Sequence, residues 1–309
     1  MDKIVFVGSF TPMQKVLYAI KKITNLKYLA LYTRLDDVVI KKLAVEQNIK
    51  VNNIDILRTQ EGKDELRSLE PDWIFNVNST FIFPKDILSI PRFGSLNLHP
   101  GKLPEYAGLH THQWAIRNDE RSFASTMNWM DEEVDAGPIA YVEEFPITEE
   151  DTGLSVFMKC MDAGANVALR ALNDIAGQKP PRIEQNLSSR KLYSNKDAID
   201  GEISWQWPSR MVHNFIRAAD YLPFKSPTYI PSFILSDGRR VHILKTKPTM
   251  RLGATAGQVL EINDEGVVVT CGDGIGLLIE KISDDQNVTI KGRSIAEYFG
   301  CTTEDIIVL

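Results

Sequence analysis

The chain has 309 residues, 43% of them hydrophobic and 25% charged, with a net charge of -6. Those values fit a globular protein with one large and one smaller core. They provide no apolar run near the roughly 20 residues that cross a bilayer and no global field favouring nucleic acid. Three widely spaced cysteines, Cys160, Cys271 and Cys301, suit neither a disulfide framework nor a zinc knuckle and read as reduced thiols.

In chain order, Met1-Asp2-Lys3 leads directly into a short apolar run ending at Gly8. This reads as a first buried strand rather than a secretory signal, so a cytoplasmic protein with no membrane association is expected. A helical pattern follows from Pro12 to Ile23, then a strand at Leu29–Tyr32 and a helix from Asp36 to Gln47. Further short strands are expected at Trp73–Val77, Ser95–Leu98 and Ser125–Met130. Strands separated by helices imply an α/β fold with a Rossmann-like, mostly parallel sheet covered on both faces. The first strand is followed by Gly8-Ser9-Phe10-Thr11, which lacks the glycines of a dinucleotide-binding turn. A long helix is expected from Gly153 to Ile175, stopped by Gly177 and Pro180-Pro181, with apolar residues nearly encircling it. From Ser204 the pattern changes. A helix at Arg210–Ala219 precedes short β-type runs at 241–244, 257–262, 267–270 and 277–282, which predict a small barrel-like (OB-like) domain. The expected division is 1–203 and 204–309.

Asn97 and His99 are two apart at the C-terminal end of a predicted strand, so they share a face where ligands of open α/β sheets bind. Asp135 ends an acidic loop, Met130-Asp131-Glu132-Glu133-Val134, just before Gly137-Pro138. Alone, each could be a satisfied histidine beside a turn or a solvated loop. A metal hydrolase built from His99, His110, His112 and Asp135 is disfavoured, because His110 and His112 diverge if a helix starts there. No metal is expected.

Taken together, Asn97-x-His99, Leu103-Pro104, Gly108 and Asp135-x-Gly137 resemble the formyltransferase family, and the likeness runs the whole length of the chain. The tail, including Gly257-Gln258-Val259-Leu260 and Cys271-Gly272-Asp273-Gly274, looks like the barrel-like C-terminal domain of the methionyl-tRNA and polymyxin-resistance branches. The resemblance implies transfer of formyl from 10-formyltetrahydrofolate to an amine. Asn97 would donate to the developing oxyanion, His99 would shuttle the proton, and Asp135 would favour the charged imidazole. It also implies that Phe81, Ile82 and Phe83 with Asp131, Glu132, Glu133 and Val134 form the folate pocket. Many members have Ser and Leu where this chain has Gly101 and Lys102. Lys102 is a candidate for a substrate phosphate.

For the acceptor, the segment from Leu109 to Ile116 and the run Trp129–Ile139 look most like nucleotide-sugar formyltransferases. Tyr32 to Asp37 passes into the next helix without the basic insertion expected of the tRNA branch. Residues 204–309 hold 11 Lys+Arg against 12 Asp+Glu. The expected acceptor is therefore a nucleotide-linked, dTDP-type amino-dideoxyhexose, with nucleic acid disfavoured as a partner. Methionyl-tRNA and a carrier-bound aminoacyl group are the alternatives within the family, and a non-catalytic folate or nucleotide binding module is the alternative outside it. Tyr221, Phe224 and Tyr229 are candidates for stacking on a base. The second domain could recognise substrate, mediate homodimerisation or stabilise the first.

Overall fold

In the computed structural model, residues 1–175, 179–197 and 200–307 are described, and the expected helix stop at Gly177 lies outside them. The elements run β1 (Asp2–Gly8), α1 (Phe10–Ala19), β2 (Leu26–Thr33), α2 (Val38–Val45), β3 (Lys50–Asn53), α3 (Gln60–Ser68), β4 (Trp73–Val77) and α4 (Lys85–Leu88). There follow β5 (Gly94–His99), β6 (Ala107–Gly108), α5 (Thr111–Arg117), β7 (Ser122–Trp129), β8 (Ile139–Pro146), α6 (Gly153–Ile175) and β9 (Leu192–Tyr193). The remainder is α7 (Ser209–Ala218), β10 (Ser232–Ile234), β11 (Arg240–Leu252), β12 (Val259–Asn263), β13 (Gly266–Thr270), β14 (Ile275–Ser283), β15 (Thr289–Lys291) and α8 (Ser294–Phe299). The chain divides into two compact units. The first comprises Met1–Thr111, Ser122–Pro146 and Phe157–Tyr193; the second comprises His112–Arg121, Ile147–Val156 and the chain from Ser194 on.

The first unit is built on a seven-stranded sheet in the order β3-β2-β1-β4-β5-β7-β8. Its first five strands are parallel, and β7 and β8 run antiparallel. Alternation along β1 shows how both faces are covered. Ile4 and Phe6 face a core with Met13, Val16 and Leu17 of α1 and Val167, Ala168 and Leu172 of α6. Val5 and Val7 face the opposite core, with Leu57, Leu66, Phe81, Phe83 and Ile87. All four β1 residues are fully buried, which is why the strand reads as a continuous apolar run rather than an alternating one. The long helix α6 differs from expectation. Met158, Asp162, Asn166, Arg170 and Asn173 form an exposed stripe three to four residues apart, so α6 has one solvent face instead of being encircled.

The second unit contains an antiparallel sheet, β10-β11-β14-β13-β12, with β15 paired to β14. Its core joins Val212, Phe215 and Ile216 of α7 to Val241, Val267, Val269, Leu277 and Ile279 of the sheet and to Ile295 of α8. Cys160 and Cys271 are buried, Cys301 is partly so, and all three are free thiols. Among the described residues no helix is long and apolar enough to cross a membrane.

Candidate active site

On β5, Leu96 and Leu98 point into the α6 core, which leaves Asn97 and His99 on the other face. The sheet therefore presents an amide and an imidazole side by side at the strand's C-terminal end, as period-two geometry requires. Asp135 lies against both. Its Oδ1 accepts from Asn97 Nδ2 at 3.1 Å, and its Oδ2 is 3.3 Å from His99 Nδ1. The Gly108 backbone N–H donates to Oδ2 at 2.9 Å. All three groups belong to the first unit.

The other ring nitrogen, His99 Nε2, is 2.6 Å from the Tyr106 carbonyl oxygen. Both nitrogens thus face oxygen atoms, one of a carboxylate and one of a backbone carbonyl. Gly101 makes this possible, since a Cβ there would collide with His99 Nε2 and the Tyr106 oxygen. Thr126 of β7, fully buried, secures the loop by donating to the Gly101 carbonyl at 2.7 Å and accepting from Leu103 N–H at 3.4 Å.

Asp135 has φ 56, a left-handed conformation that aspartate tolerates better than most residues. Its loop is clamped from the segment after α6. Gln185 Nε2 donates to the carbonyls of Asp135 (2.9 Å) and Gly137 (2.6 Å), while Arg190 donates to the Val134 carbonyl at 2.7 Å and pairs with Glu133 at 2.8 Å. Nothing in the sequence marks Gln185 and Arg190, because their partners, backbone carbonyls and for Arg190 also the Glu133 carboxylate, lie fifty or so residues away. Gly137 is required for packing, since a Cβ there would strike the Trp129 carbonyl.

The two segments implied for folate meet through Lys85, whose ammonium is 2.6 Å from Glu132. Phe81 and Phe83 are buried edge to face in the second-face core, 5.0 Å between centroids, whereas Ile82 is 64% and Val134 40% exposed. Asp131 accepts from the Glu132 N–H at 2.7 Å. Exposed apolar side chains on two adjoining segments fit a flat apolar ring system. Phe81 also lines a cavity of about 410 Å³ at the C-terminal ends of the parallel strands, together with Ser9, Arg34, Asp55, Arg58 and Asn78. Lys102 is half-exposed, with its ammonium 3.4 Å from Glu144.

Other candidates are placed elsewhere. Tyr221 and Tyr229 are buried in the second unit, where Tyr229 stacks on Phe215 and donates to its carbonyl at 2.8 Å, while Phe224 is exposed. His112 lies on α5 and contacts the Tyr221 hydroxyl. Among the described residues no group of three or more His, Cys, Asp and Glu is arranged to hold a metal ion.

At the end of β5 the amide, the imidazole and the loop carboxylate of Asp135 bring a hydrogen-bond donor, a proton-carrying ring and an acceptor within contact of one another. Residues 2–172 match the formyl transferase family and residues 196–300 its C-terminal domain. The chain belongs to the formyltransferase family and is an enzyme that transfers formyl groups. It is 31% identical over 271 residues to the methionyl-tRNA formyltransferase of Clostridioides difficile, covering 87% of this chain and 84% of that protein. It is 29% identical over 259 residues to the same enzyme of Fusobacterium nucleatum, covering 82% and 80%. Among solved structures, an N-formyltransferase from Helicobacter canadensis, in complex with folinic acid and dTDP-3-aminofucose, superposes with a TM-score of 0.69. It is 20% identical and covers 90% of this chain and 99% of its own.

These findings overturn the expectation of a nucleotide-linked amino sugar. Relatives 27–31% identical over most of the chain are methionyl-tRNA formyltransferases, whereas the likeness to sugar enzymes, at about 20% identity, is one of fold. The expectation failed because it relied on a missing insertion and on a domain-wide charge sum. A sum is the wrong quantity, since phosphates respond to local arrangement. In the second unit Lys245 stands opposite Lys281, and Lys281 opposite Lys291, across three adjacent strands. That row disappears in a near-neutral total.

Proposed function

We propose that this enzyme formylates the amino group of methionyl-tRNA, with 10-formyltetrahydrofolate supplying the formyl group. The observation that carries the acceptor is the 31% identity to a methionyl-tRNA formyltransferase over 87% of the chain. The lysine row supports it. Lys245 is paired with Glu280 at 3.2 Å, but Lys281 and Lys291, directly opposite each other, repel, and an anionic partner such as a phosphate backbone removes that penalty.

Asn97, His99 and Asp135 are the reacting-centre residues in this reading. As the amine nitrogen bonds to the formyl carbon, charge develops on the formyl oxygen, and Asn97 Nδ2 donates to it. The amine must lose a proton and the departing folate nitrogen must gain one. His99 carries that proton, oriented by Asp135 Oδ2 on Nδ1. The acidic loop and Ile82 border the donor, and the exposed Lys85–Glu132 pair bridges the two segments.

The test incubates purified enzyme with 10-formyltetrahydrofolate and methionyl-tRNA and follows the mass of the methionyl ester. A gain of one formyl group in place of a hydrogen is expected. No gain, with the donor bound, would remove the acceptor assignment and leave the family chemistry standing.

A further inference from the structure

Three asparagines lie in one row across three neighbouring strands. Asn76 of β4 is opposite Asn97 of β5, and Asn97 is opposite Asn128 of β7. Their strand neighbours Phe75, Val77, Leu96, Leu98, Met127 and Trp129 face the α6 core, so all three amides project from the other side of the sheet. Asn76 Nδ2 donates to Asn97 Oδ1 at 2.8 Å. Asn97 Nδ2 donates to Asn128 Oδ1 at 3.2 Å and to Asp135 Oδ1 at 3.1 Å, and Asn128 Nδ2 donates to the Trp129 carbonyl at 2.9 Å.

The direction of this row is forced from both ends. A carboxylate only accepts, so Asn97 must turn its NH2 toward Asp135 and its oxygen toward Asn76. Asn76 must then present its NH2. From the other end, the Trp129 carbonyl only accepts, so Asn128 gives it the NH2 and offers Asn97 its oxygen. The arrangement leaves Asn76 Oδ1 buried with no partner among the described residues, in a side chain only 3% exposed. A buried leucine would avoid that cost, and natural sequences accept such violations chiefly at functional sites.

We propose that Asn76 and Asn128 are positioning residues for formyl transfer. Asn76 fixes which end of the Asn97 amide faces Asp135. Asn128 holds one Asn97 N–H in waiting until the formyl oxygen takes it over. Both hydrogens of Asn97 Nδ2 are engaged, and the bond to Asn128 is the longer and neutral one, so it is the one to yield. This inference rests on Asn97 as the oxyanion donor.

The test compares Asn76→Leu, Asn76→Asp and Asn128→Leu with the wild type. Melting temperature, KM, kcat and the 15N-edited side-chain amide signals of Asn97 are recorded for each. Asn76→Leu should melt no lower than wild type and keep KM, while kcat falls about tenfold or more. Asn76→Asp should be equally slow at neutral pH and recover relative to Asn76→Leu as pH falls, because a protonated carboxyl can donate to Asn97 Oδ1. A wild-type kcat in folded Asn76→Leu overturns the proposal, as does a loss that merely tracks melting temperature without recovery in Asn76→Asp. If the wild type fails to formylate methionyl-tRNA, the acceptor reading fails separately, and the amide signals decide the row. Shifted Asn97 amide signals with faster hydrogen exchange in Asn76→Leu and Asn128→Leu support it; unchanged signals in both overturn it.

Discussion

Each unit buries polar side chains, but for different ends. In the second unit Arg217 is only 6% exposed. Its Nε donates to Asn214 at 2.9 Å, and its Nη1 donates to the carbonyls of Thr148 (2.9 Å) and Asp151 (2.8 Å). Asn214 in turn donates to Asp119 at 2.9 Å, which also receives Arg210 at 2.7 Å. In the first unit the asparagine row ends on an unpaired oxygen, a histidine has acceptors at both nitrogens, and an aspartate sits in a left-handed conformation. On the proposed function, the contrast separates a network that ties loops to a helix from one that serves a reacting group. Removing a member of the first kind should cost stability, and removing a member of the second should cost rate.

The sharpest test pairs one residue from each. Asp135→Ala releases both Asn97 and His99, and turnover should fall about a thousandfold, while unfolding free energy falls by about 2 kcal/mol or less from the stranded Gly108 N–H and the alanine at φ 56. Asn97→Ala and His99→Ala should each lose at least about a hundredfold. Arg217→Met should do the reverse, lowering stability by about 3 kcal/mol because it strands buried carbonyls, while kcat per folded molecule is retained. Steady-state kinetics and urea unfolding on the same samples decide it. If Asp135→Ala unfolds or Arg217→Met stops turnover, the division between the units fails.

How much of this was legible beforehand depends on what each feature leaves in the sequence. The parallel sheet was legible because β1 and β4 are buried on both faces and show as mostly apolar runs separated by helical patterns. The pairing of Asn97 with His99 on one face followed from a strand's period of two. Asn76 and Asn128 were not legible, since each alone is a polar residue in a strand and only the register sets them beside Asn97. Gln185 and Arg190 were missed for the related reason that they bind backbone carbonyls, with Arg190 also pairing with Glu133, some fifty residues away in the chain. The acceptor was misread because the lysine row is a register feature too, so that counting charges along the chain erased it.

A smaller effect comes from pH. His213, buried on α7 with Nδ1 2.9 Å from the Thr246 hydroxyl, is pushed down to about 4, first by burial and then by Arg217 and Arg210, with Glu149 opposing. A base held below its unfolded value favours the neutral form in the fold. Its contribution is therefore complete above the unfolded pKa of about 6.5 and is lost as pH falls toward 4, by at most about 3 kcal/mol. Thermal unfolding of wild type and His213→Gln from neutral pH to about pH 4 should give a steeper loss for the wild type. Parallel curves would show that His213 does not titrate in this way.

The smallest expected effect concerns Lys102, which lies in the site loop and, among the described residues, pairs with half-exposed Glu144. An exposed pair of this kind adds well under about 1 kcal/mol to stability, so structure gives no reason for the lysine to be there. If it meets an acceptor phosphate, Lys102→Ala should raise the acceptor KM about threefold, leave kcat unchanged and lose its effect at high salt. No change in KM would dismiss the contact. A fall in kcat instead would mean that Lys102 acts on the reacting groups, and the boundary of the reactive network would then extend past Gly101 into the loop that Thr126 secures.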